Sequence, residues 1–286
     1  MKPARFSYEA PATLEAVLAS LAARQDDAKV IAGGQSLAPM MNMRLAQPGH
    51  LIDINGLRDL SDIAIEGDHL VVGALVRHAD LARHPLAKTH CGMLAHAAGT
   101  IGHYAIRQRG TLGGSLAHAD PAAQLPLVAL ALDAEMEIVS ARGTRRIAAA
   151  EFFLSIFTTA LAADELLIRV RFPMTVPNQG WGFRLFNRRA GDFALASVAA
   201  TLRRTADGGV DRPRLAAGGI GPVPVRLDVP PQPQGPFDAE WPRRIAQVAA
   251  DAVEIEAGEQ ISADYRRELV AVLAEDALTD AMERAR

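Results

Sequence analysis

Two pairs of adjacent glycines, far apart in the chain, constrain this sequence most. The first lies in Ala32-Gly33-Gly34-Gln35-Ser36, directly after the apolar run Lys29-Val30-Ile31. The second lies in Gly110-Thr111-Leu112-Gly113-Gly114-Ser115, in a glycine-rich stretch that reads as a loop. Glycine tolerates positive φ and lets a ligand approach the backbone closely. Consecutive N–H groups in such a turn form an anion-binding concavity. Ser36, Thr111 and Ser115 add hydroxyl donors. Either segment alone reads as an ordinary turn; two together suit a diphosphate carrying two negative charges. The familiar alternatives fail on spacing. No Gly-Lys-Ser/Thr follows Gly34, so there is no P-loop. At Gly219-Ile220-Gly221, Pro224 stands where a Rossmann fingerprint needs its third glycine.

The surrounding pattern is α+β. Thr13 caps an expected helix to Gln25, with Leu14, Val17, Leu18 and Leu21 at helical spacing. Residues 29–32 and 51–54 read as strands, and 62–76 as a hairpin turning at Gly67-Asp68. A helix is expected over Leu86–Ala98 and another from Pro121 to near Leu132. A hairpin follows about Arg142-Gly143, then a strand from Leu166 to Phe172 closed by Pro173. This gives a first domain of residues 1–173, in subdomains of about 1–56 and 57–173, and a second domain of 174–286. The second domain reads as three strands, Gly182–Arg188, Leu195–Arg204 and Val210–Gly218, then two helices over 239–256 and 263–285. Six prolines in residues 221–236 argue against regular structure between them.

Composition removes several functions. The single cysteine, Cys91, excludes an intrachain disulfide, a four-thiolate iron–sulfur cluster and a cysteine-rich zinc site. A net charge of -3 gives no basic face for nucleic acid. The first residues lack the apolar core of a secretory signal, and no apolar run approaches the ~18 residues of a membrane span; a cytoplasmic protein is expected. Histidines 78, 84, 90 and 96 recur every six residues, about 600° around a helix, so they share no face and suggest no metal site. Arg107 and Arg109 flank the second glycine segment and fall on one face if that stretch is extended. Met40, Met41 and Met43 read as core filler. No carboxylate pair or Ser/His/Asp order suggests hydrolysis, which suits a chain whose chemistry belongs to a cofactor.

The longer stretches Ala32–Ala46 and Thr100–Pro121, with Asn187-Arg188-Arg189-Ala190-Gly191-Asp192-Phe193-Ala194, resemble the FAD-binding medium subunit of molybdenum hydroxylases, the carbon monoxide and xanthine dehydrogenase flavoproteins. The resemblance covers nearly the whole chain. It implies a two-subdomain FAD-binding domain of the vanillyl-alcohol-oxidase-like type, followed by a C-terminal flavoprotein domain. It implies that Lys29 and Ala32, Gly33, Gly34, Gln35 and Ser36 hold the diphosphate from one side, and Gly110, Thr111, Gly113 and Gly114 from the other. Ile101 and Gly102 would lie near the adenine end; Ala117, His118 and Asp120 would follow the ribityl chain. Gln124 would meet a sugar hydroxyl, Ile168 would give a backbone contact near the flavin ring, and Phe193 would lie against that ring. Electrons would arrive from [2Fe–2S] clusters on a small partner subunit and, before that, from a large molybdopterin subunit. They would leave for an external acceptor such as NAD, oxygen or a quinone, and a dimer of heterotrimers is implied.

Three positions depart from the family's pattern. Ser115 stands where Asn is usual, Gln124 where an acid is usual, and Arg184-Leu185 near where a Lys is usual. Two other functions fit parts of the sequence: a self-sufficient FAD oxidase, which needs its own base, and a scaffold subunit without flavin.

Overall fold

The computed structural model describes residues 2–229, 238–257 and 261–285. The first subdomain is a βαβαβ unit: β1 (Ser7–Glu9), α1 (Leu14–Arg24), β2 (Ala28–Ile31), α2 (Leu37–Asn42) and β3 (His50–Asp53). Its strands are parallel, in the order β1-β3-β2, with Lys29 opposite Leu51 and Val30 opposite Ile52. Thr13 Oγ1 accepts the Ala16 N–H and starts α1, which buries Val17, Leu18 and Leu21. That stripe packs with Ile52, Ile54 and Leu57.

The second subdomain opens with β4 (Ile63–Glu66) and β5 (His69–Gly73) and continues through six short helices: α3 (His78–Arg83), α4 (Pro85–His90), α5 (Gly92–Thr100), α6 (Tyr104–Arg109), α7 (Leu112–His118) and α8 (Gln124–Ala131). It closes with β6 (Glu135–Ser140), β7 (Gly143–Ala148), α9 (Ala149–Phe152), β8 (Phe153–Ser155), β9 (Thr158–Thr159) and β10 (Leu166–Pro173). The antiparallel sheet runs β4-β5-β10-β6-β7. The helix expected over 86–98 is two helices broken at Cys91, whose φ of -145° is not helical. The thiol there is buried and faces the Pro173 carbonyl.

The last part holds β11 (Gln179–Phe186), β12 (Ala196–Arg204), β13 (Val210–Gly218), β14 (Val225–Leu227), α10 (Trp241–Ala252) and α11 (Ala263–Arg284). The antiparallel sheet has four strands rather than the three expected. The addition is β14, which pairs Leu227 with Leu215 inside the proline-rich stretch. Pro222 and Pro224 precede that strand, so their missing N–H groups cost the ladder nothing. Prolines 230, 231, 233 and 236 lie outside the described residues.

This sheet is covered on both faces, which explains the nearly continuous buried run of β12. One face contributes Phe183, Ala199 and Ala216 to a core shared with α5 and α8. The other face packs on α10 and α11 through Val198, Ala200, Ala246, Ala274 and Ala277. Every residue of α8 is buried, so this helix joins the two sheets.

Candidate cofactor site

The two glycine segments meet. A Cβ on Gly33 would overlap the main-chain carbonyl of Arg109 and come within 2.9 Å of Gly110 Cα. β2 delivers the first segment to this joint; the second lies where α6 ends and α7 begins. Packing therefore demands glycine at Gly33. Gly34 is different: its φ is 67°, and an added Cβ would meet nothing closer than 3.4 Å. After it, Ser36 begins α2 without a side-chain cap. Among the described residues, nothing accepts from the N–H groups of Gly33, Gly34, Gln35 or Ser36. Gln35 folds its amide back onto the Gly33 carbonyl, 2.9 Å away. This is an open concavity of backbone donors.

The second segment is built otherwise, and the expectation of two like concavities is corrected. The Thr111 hydroxyl caps α7 by accepting the Gly114 N–H at 3.1 Å. Leu112 N–H donates to Val76 O, Gly113 N–H to Ala74 O and Ser115 N–H to Thr111 O. Of these backbone donors only the Thr111 N–H lacks an acceptor among the described residues. Gly110, Gly113 and Gly114 all have ordinary negative φ. Their lack of a Cβ makes room for His78, Ala74 and the Thr111 hydroxyl respectively. Gly114 is exposed, so its backbone face stays accessible beside the helix start.

Arg107 and Arg109 lie on α6, not on a strand, because residues 103–110 close helical bonds. Arg107 Nη1 donates to the carbonyls of Ile101 and Gly102, at 2.9 and 2.7 Å, and closes their turn. Gly102 has a φ of 49°. The ring of His103 fills the place of a Cβ on Gly191, whose φ is 94°. The loop bearing Phe193 thus borders the turn of Ile101 and Gly102, although the sequence reading assigns them to opposite ends of FAD. Phe193 is 62% exposed.

His118 ends α7 and stacks on Phe157 with ring centroids 4.8 Å apart; burial lowers its pKa. Ala117 is exposed, and the Asp120 carboxylate accepts the Ala122 N–H at 2.9 Å. Gln124 is only 4% exposed, yet its amide bonds to no described residue. Ile168 sits at a bulge where β10 shifts register against β6, and its carbonyl accepts the Ala74 N–H. Ala74 O in turn accepts Gly113 N–H, tying Ile168 to the second segment. Lys29 is exposed on β2. Of the methionines after the first segment, Met41 is buried and Met43 is half exposed.

Sequence reasoning missed His78 and Arg77. His78 Nε2 donates to the Thr111 carbonyl at 2.9 Å, which fixes the neutral tautomer and leaves buried Nδ1 without a partner. Burial pushes its pKa down to about 4. Arg77 Nη2 donates to Asn55 Oδ1 at 2.7 Å, and Nη1 donates to the Arg109 carbonyl. Neither belongs to a glycine motif, so only the folded contacts expose them.

Residues 4–175 match the FAD-binding domain in molybdopterin dehydrogenase, and residues 181–281 match the CO dehydrogenase flavoprotein C-terminal domain. The chain belongs to the molybdopterin dehydrogenase flavoprotein family. Like its relatives, this flavoprotein is an oxidoreductase subunit. It is 45% identical over 219 residues to the nicotine 6-hydroxylase medium subunit of Paenarthrobacter nicotinovorans, covering 77% of this chain and 76% of that protein. It is 36% identical over 228 residues to the carbon monoxide dehydrogenase medium chain of Hydrogenophaga pseudoflava, covering 80% of this chain and 79% of that protein. The solved carbon monoxide dehydrogenase of the same organism superposes with a TM-score of 0.94 at 34% identity, covering 99% of each chain. Among the described residues of this flavoprotein, no helix is long and apolar enough to cross a membrane.

Proposed function

We propose that this chain is the electron-transfer subunit of a molybdenum hydroxylase and holds the FAD diphosphate across the joint of its two glycine segments. The observation that carries this reading is the row of unpaired N–H groups at Gly33–Ser36, set against Gly110. Those donors and the Ser36 hydroxyl face the negative charge, with Lys29 on the strand that leads into them. Thr111 adds its N–H, and exposed Gly114 permits close approach. Ala117, His118, Asp120 and the unpaired Gln124 amide line the way toward the ring, with Ile168 and Phe193 beside it and Ile101 and Gly102 completing the rim. When bound, the flavin supplies the redox chemistry, collecting electrons from one partner and releasing them to an acceptor.

The chain itself orients the cofactor and leaves Phe193 free to screen acceptors such as NAD, oxygen or a quinone. Its single, buried cysteine leaves the [2Fe–2S] clusters to a small partner subunit and the molybdopterin to a large one. We place the assembly in the cytoplasm as a dimer of heterotrimers. The purified chain should carry about one FAD, with no iron or molybdenum, and should not oxidise the organic substrate alone. Stoichiometric iron, or steady turnover by the lone chain, would overturn this reading.

A further inference from the structure

The two glycine segments belong to different subdomains, so something must set the gap between them. Arg77 occupies that place. Its main chain rides on the second segment: it forms an isolated bridge with Thr111, flanked by His78 N–H to Gly110 O and Leu112 N–H to Val76 O, both 3.0 Å. Its side chain reaches back to the first subdomain, where Asn55 Oδ1 accepts from Nη2 at 2.7 Å. Asn55 cannot turn away, because its Nδ2 donates to Ala32 O and Asp53 Oδ1, each at 2.7 Å. Tyr8 holds the other oxygen of Asp53, also at 2.7 Å. The other terminal nitrogen of Arg77, Nη1, donates to the carbonyl of Arg109, the group Gly33 packs against. A continuous path thus runs from Ala32 through Asn55 and Arg77 to Arg109. Both side-chain acceptors of Arg77 are neutral, so the guanidinium keeps its charge beside the joint while its planar fork spans the two segments.

We propose that Arg77 is a positioning residue whose bridge, more than its charge, holds the two glycine segments at the spacing FAD requires. This rests on reading those segments as the diphosphate site. Lysine keeps the charge but carries a single compact ammonium in place of the fork. The test titrates FAD onto the apo full-length chain, as wild type, Arg77→Lys, Arg77→Met, Asn55→Ala and the Asn55→Ala/Arg77→Met double variant.

Arg77→Lys and Arg77→Met should each bind FAD at least about tenfold more weakly, the factor that about 1.4 kcal/mol represents. Asn55→Ala should lose less, and the double variant should bind no worse than Arg77→Met, because the two residues form one path. Arg77→Lys within about threefold of wild type would overturn the bridge in favour of charge alone. Additive losses in the double variant would break the path. Where Arg77→Met fails to fold, Arg77→Lys and Asn55→Ala decide the matter. A wild-type chain that takes up no FAD would overturn the cofactor reading and the bridge with it.

Discussion

Gly33 and Gly34 stand side by side for different physical reasons, and the difference is measurable. At Gly33 a methyl group would drive into the Arg109 carbonyl and part the two segments. Gly33→Ala should therefore cost about 1–3 kcal/mol of stability, as overpacked sites do, and weaken FAD binding with it. Gly34→Ala makes only ordinary contacts with Ile31 and Ala38 but keeps a φ of 67°, so its cost should be near 1 kcal/mol. Urea unfolding and FAD titration of both variants check the order. His78 adds a pH dependence. The unfolded histidine takes a proton near pH 6.5, the folded one only near pH 4. Between those values the unfolded chain binds more protons, so stability falls as pH drops through that window and levels off below it. Going from pH 7.5 to 4.5, wild type should lose about 2–3 kcal/mol through this group. His78→Gln should lack that loss when urea curves at the two pH values are compared.

At the scale of elements, the described glycines come nearest to another backbone between β11 and α11. Gly180 and Gly182 point to one face of the strand, two residues apart, and each lies against a helix carbonyl, of Ala281 and Ala277. Those alanines are four apart on α11, one above the other, so strand and helix meet backbone to backbone. Arg284 fastens the end of the contact, 4.2 Å over the Trp181 ring, and Asp280 pairs with both Arg184 and Arg284. Gly182→Val should push the helix away and cost about 3 kcal/mol. A melting temperature within a degree or two of wild type would contradict this close approach. In the five-stranded antiparallel sheet of the second subdomain, charges link the strands: Glu66, Arg171, Arg169, Glu137 and Arg146 pair across β4, β10, β6 and β7.

Across the whole molecule, α8 is the joint between the FAD-binding part and the C-terminal sheet. Asp133, just past its end, receives Arg214 and Arg226 from that sheet, and Pro121, before it, accepts the Gly219 N–H. The apolar core that contains α8 also contains Phe183, Ala199 and Ala216. A fragment of residues 1–173 would expose this buried helix as a large apolar patch. It should bind a hydrophobic dye and lose sharp thermal unfolding, whereas the full chain should melt in one cooperative transition. A well-behaved fragment with native cooperativity would show that the C-terminal part is dispensable to the fold.

The sequence by itself determined the glycine segments, the class of cofactor they suit, the two-part organisation and most strands. These are local properties: periodicity, turn chemistry and motif order are written residue by residue. It placed Thr13 as a cap and Val210–Gly218 as a strand, as the structure has them. It read the stretch holding Gly110–Ser115 as loop because glycine and polar residues hide short helices that only their neighbours stabilise, here α6 and α7. It missed β14, since pairing with β13 rewards three residues that propensity alone does not. The tertiary structure alone decided why each glycine is glycine. Gly33, Gly110 and Gly113 answer to Arg109, His78 and Ala74, partners brought near only when the chain folds. For the same reason Arg77 and His78 carried no signal in the sequence: their roles are contacts between distant segments, and a contact has no existence until the chain folds.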